Sequence, residues 1–379
     1  MRSRTVHLPE GQPTRDVLLA VARELERPPD FILSFLPPDG ALRDTLAVLT
    51  SLWPDSLRFG CEAMTQFADA CVTTAGAVHL FWLDHPRRHH VAVEVIPGTH
   101  GEPPSARRVE AVARRMAAAD GVLLLVDGLR FPTERFLAEI RKTMAGLPPV
   151  VAGGLASQGA PVTHAGARVF SGDRILPSAC LAVTLHGVNM KVEVVRGWTP
   201  ASPVYTITRA EGPVVWEIDG EPATDWYRRF FTIHGELAPL PDSSYRYPLL
   251  VEGPRPERQE LYRSMRVFDD PPGAVTFWGD LETGDRVRLG MGDDVSLVRT
   301  ASELVSGPPP DAAILYSCVG RESVLGGMAG QEAATIHKAL GGAALSGFFT
   351  FGEIGPTPSG HLAYYNQTAI LVLLQEVGA

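Results

Sequence analysis

The sequence predicts a mixed α+β protein: layered mixed β-sheets flanked by helices, set out in two related domains. Three observations predict it. A run of apolar strand, amphipathic helix, glycine-bearing strand and further strand occurs three times along the chain. Some strands, such as Val122–Val126 and Ile370–Leu374, are unbroken apolar runs, as expected where both faces of a sheet are covered. Others, such as Lys191–Arg196, alternate polar and apolar residues, the mark of a strand with one wet face.

Residues 1–29 read as an N-terminal extension, a polar stretch followed by an amphipathic helix over Arg15–Leu25 that Pro28-Pro29 ends. The first copy of the pattern is strand Phe31–Leu36, helix Leu42–Leu52, strand Leu57–Cys61 and strand Ala77–Leu83. An antiparallel strand, Val91–Val95, follows. Next comes a helix whose Arg107, Arg108, Arg114 and Arg115 lie opposite apolar Val109, Val112 and Met116. The second copy is strand Val122–Val126, helix Thr133–Met144, strand Pro149–Leu155 with Gly153-Gly154, and strands near Arg168–Phe170 and Ala179–Leu185. Strands Tyr205–Thr208 and Val214–Ile218 lead to a boundary at Asp219-Gly220, after which Pro222 opens a helix running through Phe231. Pro239 to Gly284 is rich in proline and glycine with only the short strands Tyr247–Val251 and Ala274–Trp278, and predicts an irregular surface excursion. The third copy is strand Ala312–Ser317, helix Gln331–Leu340, strand Leu345–Gly352 and strand Leu362–Leu374. The domains are therefore 30–220 and 221–379.

A chain of 379 residues can bury a large core. With 34 basic and 43 acidic residues its net charge is −9, and without a basic stripe a nucleic-acid partner is excluded. The longest uncharged stretch, Thr143–Ala167, is broken by Gly153, Gly154, Gly159 and Gly166, whereas a membrane helix needs about 20 continuous apolar residues. No apolar segment follows the charged N-terminus, so neither secretion nor membrane insertion is expected. Cys61, Cys71, Cys180 and Cys318 are too few for a disulfide scaffold and show no C-x-x-C spacing. The expected location is the cytoplasm.

Chemistry concentrates in the third copy. Ser317-Cys318-Val319-Gly320-Arg321 ends a buried strand, where α/β sheets place their ligands. Glu353 is a conspicuous lone charge in a glycine-dense stretch, and Tyr364-Tyr365-Asn366-Gln367-Thr368 is a polar patch ahead of an apolar strand. Buried amides of this kind either fasten a neighbouring strand or line a polar pocket. Arg321 is a planar donor suited to a carboxylate and Glu353 an acceptor suited to an ammonium, so a zwitterion fits a hollow that both face. A second reading makes Cys318 an activated thiolate with His361 as its base. A third places haem on His186 or His337. His85, His89 and His90 stand beside Asp84, but Arg87 and Arg88 between them oppose a cation and predict a solvated loop. No cofactor or metal is expected from the residues themselves.

Ser317-Cys318-x-x-Arg321, Gly326, Glu332, the run Gly347-Phe348-Phe349-Thr350-Phe351-Gly352-Glu353-Ile354-Gly355 and Asn366-Gln367-Thr368 resemble the C-terminal half of FIST proteins (F-box and intracellular signal transduction). Phe59-Gly60-Cys61, Val150–Ala156, Val169-Phe170-x-Gly172, Leu181–Gly187 and the junction Glu217–Ala223 with Tyr227 are similar to the N-terminal half. The resemblance implies a two-part FIST-N and FIST-C sensory module of signal transduction that binds a small ligand such as an amino acid, some members holding haem. It implies no enzyme. No kinase or receiver segment is attached, so the output is expected to pass to a separate downstream signalling protein. The residues expected to hold the ligand are Cys318, Arg321, Gly352, Glu353, Tyr365, Asn366 and Thr368.

Overall fold

The computed structural model describes the chain except for residues 39–40, 99–101, 145–149, 160–165, 254, 303–304, 306 and 379. Its frame is a repeat, seen first as β1 (Arg2–His7), α1 (Thr14–Glu24), β2 (Phe31–Leu36), α2 (Leu42–Leu52), β3 (Leu57–Glu62), β4 (Gln66–Ala68), β5 (Cys71–Thr73) and β6 (Ala77–Trp82). The same order returns as β7 (His90–Pro97), α3 (Ala106–Ala117), β8 (Gly121–Val126), α4 (Thr133–Thr143), β9 (Val150–Leu155), β10 (Val169–Ser171), β11 (Arg174–Leu176) and β12 (Ala179–His186). Pro149, the expected start of β9, lies outside the described residues. A third repeat begins at β13 (Val188–Val195) and resumes at helix Asp294–Ser302. Strand Ala312–Cys318, helices Val319–Leu325 and Ala329–Ala339, and strands Leu345–Thr350, Glu353–Pro356, Leu362–Tyr365 and Ala369–Glu376 complete it.

Three six-stranded mixed sheets result. In each, the second and third long strands of a repeat run parallel: β2 with β3, β8 with β9, Ala312–Cys318 with Leu345–Thr350. The last strand of the repeat returns antiparallel beside the second, and the first strand lies outside it. The remaining two places in each sheet are filled from another repeat. Hairpin β4–β5 of the first repeat joins the third sheet, β10–β11 of the second joins the first sheet, and Glu353–Pro356 with Leu362–Tyr365 of the third joins the second. The exchange is cyclic, so no repeat completes its own sheet. The expectation of one strand over Leu362–Leu374 is corrected here. The chain breaks at Asn366–Thr368, with Gln367 in the left-handed region at φ 60°, because its two halves belong to different sheets.

The outer faces carry the helices. Leu18, Val21, Leu42, Leu46 and Leu49 of α1 and α2 cover Ile32, Val78 and Leu80 of the first sheet. Leu297, Val324, Ala333 and Ile336 cover Ala313, Leu315, Phe349 and Leu371 of the third. The inner faces meet one another in a common core: the rings of Phe35 and Phe348 are 4.8 Å apart, and His79 Nδ1 lies 2.7 Å from Ser346 Oγ. Gly154 shows why the second repeat carries glycine in β9. A Cβ there would lie 2.8 Å from both Thr350 Cγ2 and Tyr316 Cδ1, so the second and third sheets can approach only over hydrogen.

Two sequence expectations are revised. Residues 1–29 are not an appendage, since β1 pairs along its length with β6 and Thr5 Oγ1 donates to Leu345 O of the third sheet at 3.1 Å. The stretch 239–284 is not an irregular excursion. With flanking strands Thr199–Pro200, Tyr205–Glu211, Val214–Ile218, Glu221–Pro222 and Arg286–Met291 it builds a nine-stranded sheet. This lobe, residues 199–291, interrupts the third repeat. Trp226 and Tyr227 of helix Ala223–Phe231 are fully buried in it. Strands Tyr205–Glu211, Val214–Ile218, Leu249–Glu252 and Val275–Phe277 overlap short strands readable from the sequence, but their joining into one sheet leaves no local signal.

Candidate functional site

The expected ligand residues come from three elements that end at one place. Cys318 closes its strand and opens helix Val319–Leu325. Its sulfur accepts main-chain hydrogen bonds from Gln367, Gly320 and Arg321, and its own N–H donates to Thr368 O at 3.0 Å. Burial, and after it the carboxylate of Glu353, push the thiol well above its ordinary value. A sulfur so placed stays protonated and is a poor nucleophile. His361, the base of the thiolate reading, sits on an exposed turn with Nδ1 3.1 Å from Ser359 Oγ.

Glu353 is fully buried and receives three donors. Thr350 Oγ1 gives to Oε1 at 2.6 Å, while Thr368 gives its Oγ1 at 2.7 Å and its N–H at 3.1 Å to Oε2. The carboxylate thus ties the second sheet to two strand ends of the third. Burial raises it to about 7, against the pull of those hydrogen bonds and of Arg321. Beside it, Asn366 Nδ2 donates to Tyr364 OH at 3.3 Å, and Tyr364 OH to Phe351 O at 3.3 Å. Gly352 is held to glycine by this packing, since a Cβ would fall 2.3 Å from Tyr364 OH. Tyr365 OH donates to Pro356 O at 3.1 Å, and Arg196 lies over its ring at 5.9 Å. Asn366 Oδ1 and Gln367 Oε1 are buried without a hydrogen-bond partner among the described residues.

Arg321 does not join them. Alternation along Ala312–Cys318 turns Tyr316 into the central core and Leu315 and Ser317 toward the helices. Arg321 lies on that helical side, fully buried, donating to Glu332 Oε1 at 2.5 Å and to Arg196 O at 2.8 Å. Glu353 lies on the inner side. The expected convergence of the two charges on one hollow is therefore corrected: Arg321 is paired with Glu332 and Glu353 with Thr350 and Thr368, so neither is left for a common occupant. Cys318, Gly352, Glu353, Tyr365, Asn366 and Thr368 instead form a buried polar seam between the second and third sheets.

The seam ends at Tyr364, itself buried at 3% exposure. One side of this ring lines a cleft of about 360 Å³ between the lobe and the second repeat, outside the C-terminal ends of β8 and β9. The core contributes Gly128–Arg135 and Leu155, and the lobe contributes Pro213, Arg266 and Phe277–Asp280. Arg263, 1% exposed, pins the two sides together: it donates to Glu134 Oε1 at 2.8 Å, to Tyr364 O at 2.9 Å and to Asp280 O at 3.2 Å. Burial pushes the Glu134 carboxyl above its ordinary value although Arg263 pulls it down. Trp278 stacks on Phe351 at 5.2 Å and carries the Arg266 guanidinium over its ring at 4.7 Å. Of the cleft residues only Tyr364, in the polar patch ahead of the last strand, was singled out from sequence, because the lining comes from separate stretches, 128–135, 155, 213, 266–280 and 364, that share no spacing. The one local signal was Trp278-Gly279-Asp280 directly after an apolar strand.

The histidines considered for haem stand elsewhere. His186 stacks on His90 at 4.4 Å, and His337 Nε2 is 3.9 Å from Asp69. His89, of the clustered histidines, bonds Glu376 at 2.7 Å.

Comparison with known proteins agrees with the two-part reading. Residues 30–221 match the FIST N domain and residues 223–356 the FIST C domain. An uncharacterised protein of Mycobacterium tuberculosis H37Rv is 30% identical over 276 residues, which is 68% of each chain. An uncharacterised protein of Mycobacterium bovis is 28% identical over 273 residues, again 68% of each chain. The junction between the two matches falls within the lobe, between Glu221–Pro222 and helix Ala223–Phe231.

Proposed function

Because the chain belongs to the FIST family, whose domains are sensory modules of signal transduction, we propose that it senses a small molecule bound in the cleft between the lobe and the second repeat. The ligand of this reading is an amino acid or a similar metabolite, and the signal passes to a separate partner rather than into catalysis. One observation carries the proposal. The cleft combines the position at which parallel strands place their ligands with walls from two bodies of the fold, so an occupant touches both. The polar seam behind Tyr364 links that wall to the strand ends of the third sheet. Glu353, Asn366 and Thr368 then transmit rather than bind, and Arg321 holds helix Val319–Leu325 to Glu332. The neutral, buried Cys318 supports the non-catalytic reading.

The test is a thermal-shift screen of the ligand-free full chain with the free amino acids and related small metabolites. A ligand of the native state at a hundredfold excess over its Kd adds about 2.7 kcal/mol of stability. At least one compound is expected to raise Tm, and Trp278→Ala, which opens the cleft wall, is expected to abolish that rise. A screen in which no compound moves Tm, or in which the rise survives Trp278→Ala, refutes the cleft as the site.

A further inference from the structure

We propose that the cleft selects an amino dicarboxylate, a small molecule with two carboxylates and one ammonium. The inference rests on the reading of the cleft as the ligand site and follows from which of its charges already have partners. Arg130 donates to Asp127 Oδ2 at 3.1 Å, and Glu134 receives Arg263 at 2.8 Å, so both are internally balanced. Arg135 and Arg266 have no carboxylate partner among the described residues, and the Asp280 carboxylate has no hydrogen-bond partner there. Two guanidiniums and one carboxylate thus remain for an occupant.

The surroundings hold Asp280 and Arg266 in place, while Arg135 is exposed. The Asp280 main chain is held on both sides, its N–H by Glu134 Oε1 at 3.2 Å and its carbonyl by Arg263 Nε at 3.2 Å, so its side chain starts from a fixed point. The Arg266 guanidinium sits over the Trp278 ring at 4.7 Å, a contact that positions it at the cleft wall and leaves its N–H groups unpaired by carboxylate among the described residues. Trp278 also stacks on Phe351 at 5.2 Å, so its ring is already engaged within the protein. Guanidiniums bind carboxylates in pairs of parallel hydrogen bonds, and an aspartate accepts an ammonium. A monocarboxylic amino acid would leave one guanidinium unpaired, and a plain dicarboxylate would leave Asp280 facing no cation.

Isothermal titration calorimetry of the full chain tests this with L-glutamate and L-aspartate against L-glutamine, L-asparagine, glutarate and succinate. The two acidic amino acids are expected to bind at least about tenfold tighter than their amides and than the dicarboxylates, the size of one charge-assisted hydrogen bond. Arg266→Gln or Arg135→Gln is expected to remove the preference for glutamate over glutamine. Asp280→Asn is expected to remove the preference for glutamate over glutarate. Equal binding of acids and amides, lost on Trp278→Ala, overturns the charge assignment and leaves the cleft as the site. Acid preference that survives all three charge variants places the ligand elsewhere and overturns both. Silence of all six compounds overturns the amino dicarboxylate, while the wider screen decides the cleft.

Discussion

At the scale of the residue, Glu353 and Arg321 show how similar burial leads to different chemistry. Arg321 meets a carboxylate of its own at Glu332, so the pair is balanced within one layer. Removing one partner of such a buried pair leaves a bare charge and is far more damaging than removing both. Glu353 meets only neutral donors, and burial lifts it from 4.5 to about 7. The native state therefore keeps a proton that the unfolded chain has lost between those two values. Stability falls as pH rises through that window, by at most about 1.4 kcal/mol per pH unit from this one group, and levels off above it. Glu353→Gln removes the titrating group while keeping an acceptor for Thr368. Melting curves from pH 5 to pH 8 are expected to show the variant gaining on the parent as pH rises. Parallel pH profiles for the two proteins would show that Glu353 does not titrate in that range.

At the scale of the element, the hairpins decide the architecture. Each is too short to stand alone, as two-stranded ribbons are marginal in water, and each finds its sheet in a neighbouring repeat. Gly154 sits where this exchange is tightest: β9 pairs there with Glu353 of the incoming hairpin while Tyr316 and Thr350 press on it from the third sheet. Gly154→Ala forces a methyl group into those contacts. A destabilisation of about 1–3 kcal/mol is expected from overpacking of this kind, read as a fall in the denaturation midpoint at unchanged slope. Gly330→Ala, in helix Ala329–Ala339 where a Cβ meets nothing within 4 Å and φ is not left-handed, is the control. A Gly154→Ala midpoint no lower than that of the control would contradict the close approach.

At the scale of the whole molecule, the two family segments are not two independent bodies. Residues 30–221 lack Glu353–Pro356 and Leu362–Tyr365 of the second sheet and the three strands at the centre of the third, so hairpin β4–β5 has no sheet to join and β13 loses its partner strand. Unpaired strand edges and an uncovered core cannot hold a cooperative fold. The 30–221 fragment expressed alone is expected to melt without a sigmoidal transition and to lack the near-ultraviolet circular dichroism of the full chain. A sharp transition in that fragment would show that the exchange of hairpins is not needed for its fold.

Much of this was legible in the amino-acid order. Phe31–Leu36 and Leu42–Leu52 fall where the periodicity puts them, because burial on one helical stripe or on both strand faces writes itself into neighbouring residues. The thrice-repeated pattern and the polar residues around Glu353 are local in the same sense. β1 escaped, since Val6 is its one buried residue, and so did the joining of the lobe's short strands into one sheet. Pairing between distant segments left no local trace. Which hairpin enters which sheet, which carboxylate Arg321 meets, and which charges face the cleft depend on contacts between residues tens to hundreds of positions apart, or on the two faces of one strand. Tertiary packing alone decided these, because a side chain's partner is set by where the backbone ends up in space and not by what precedes it in the chain.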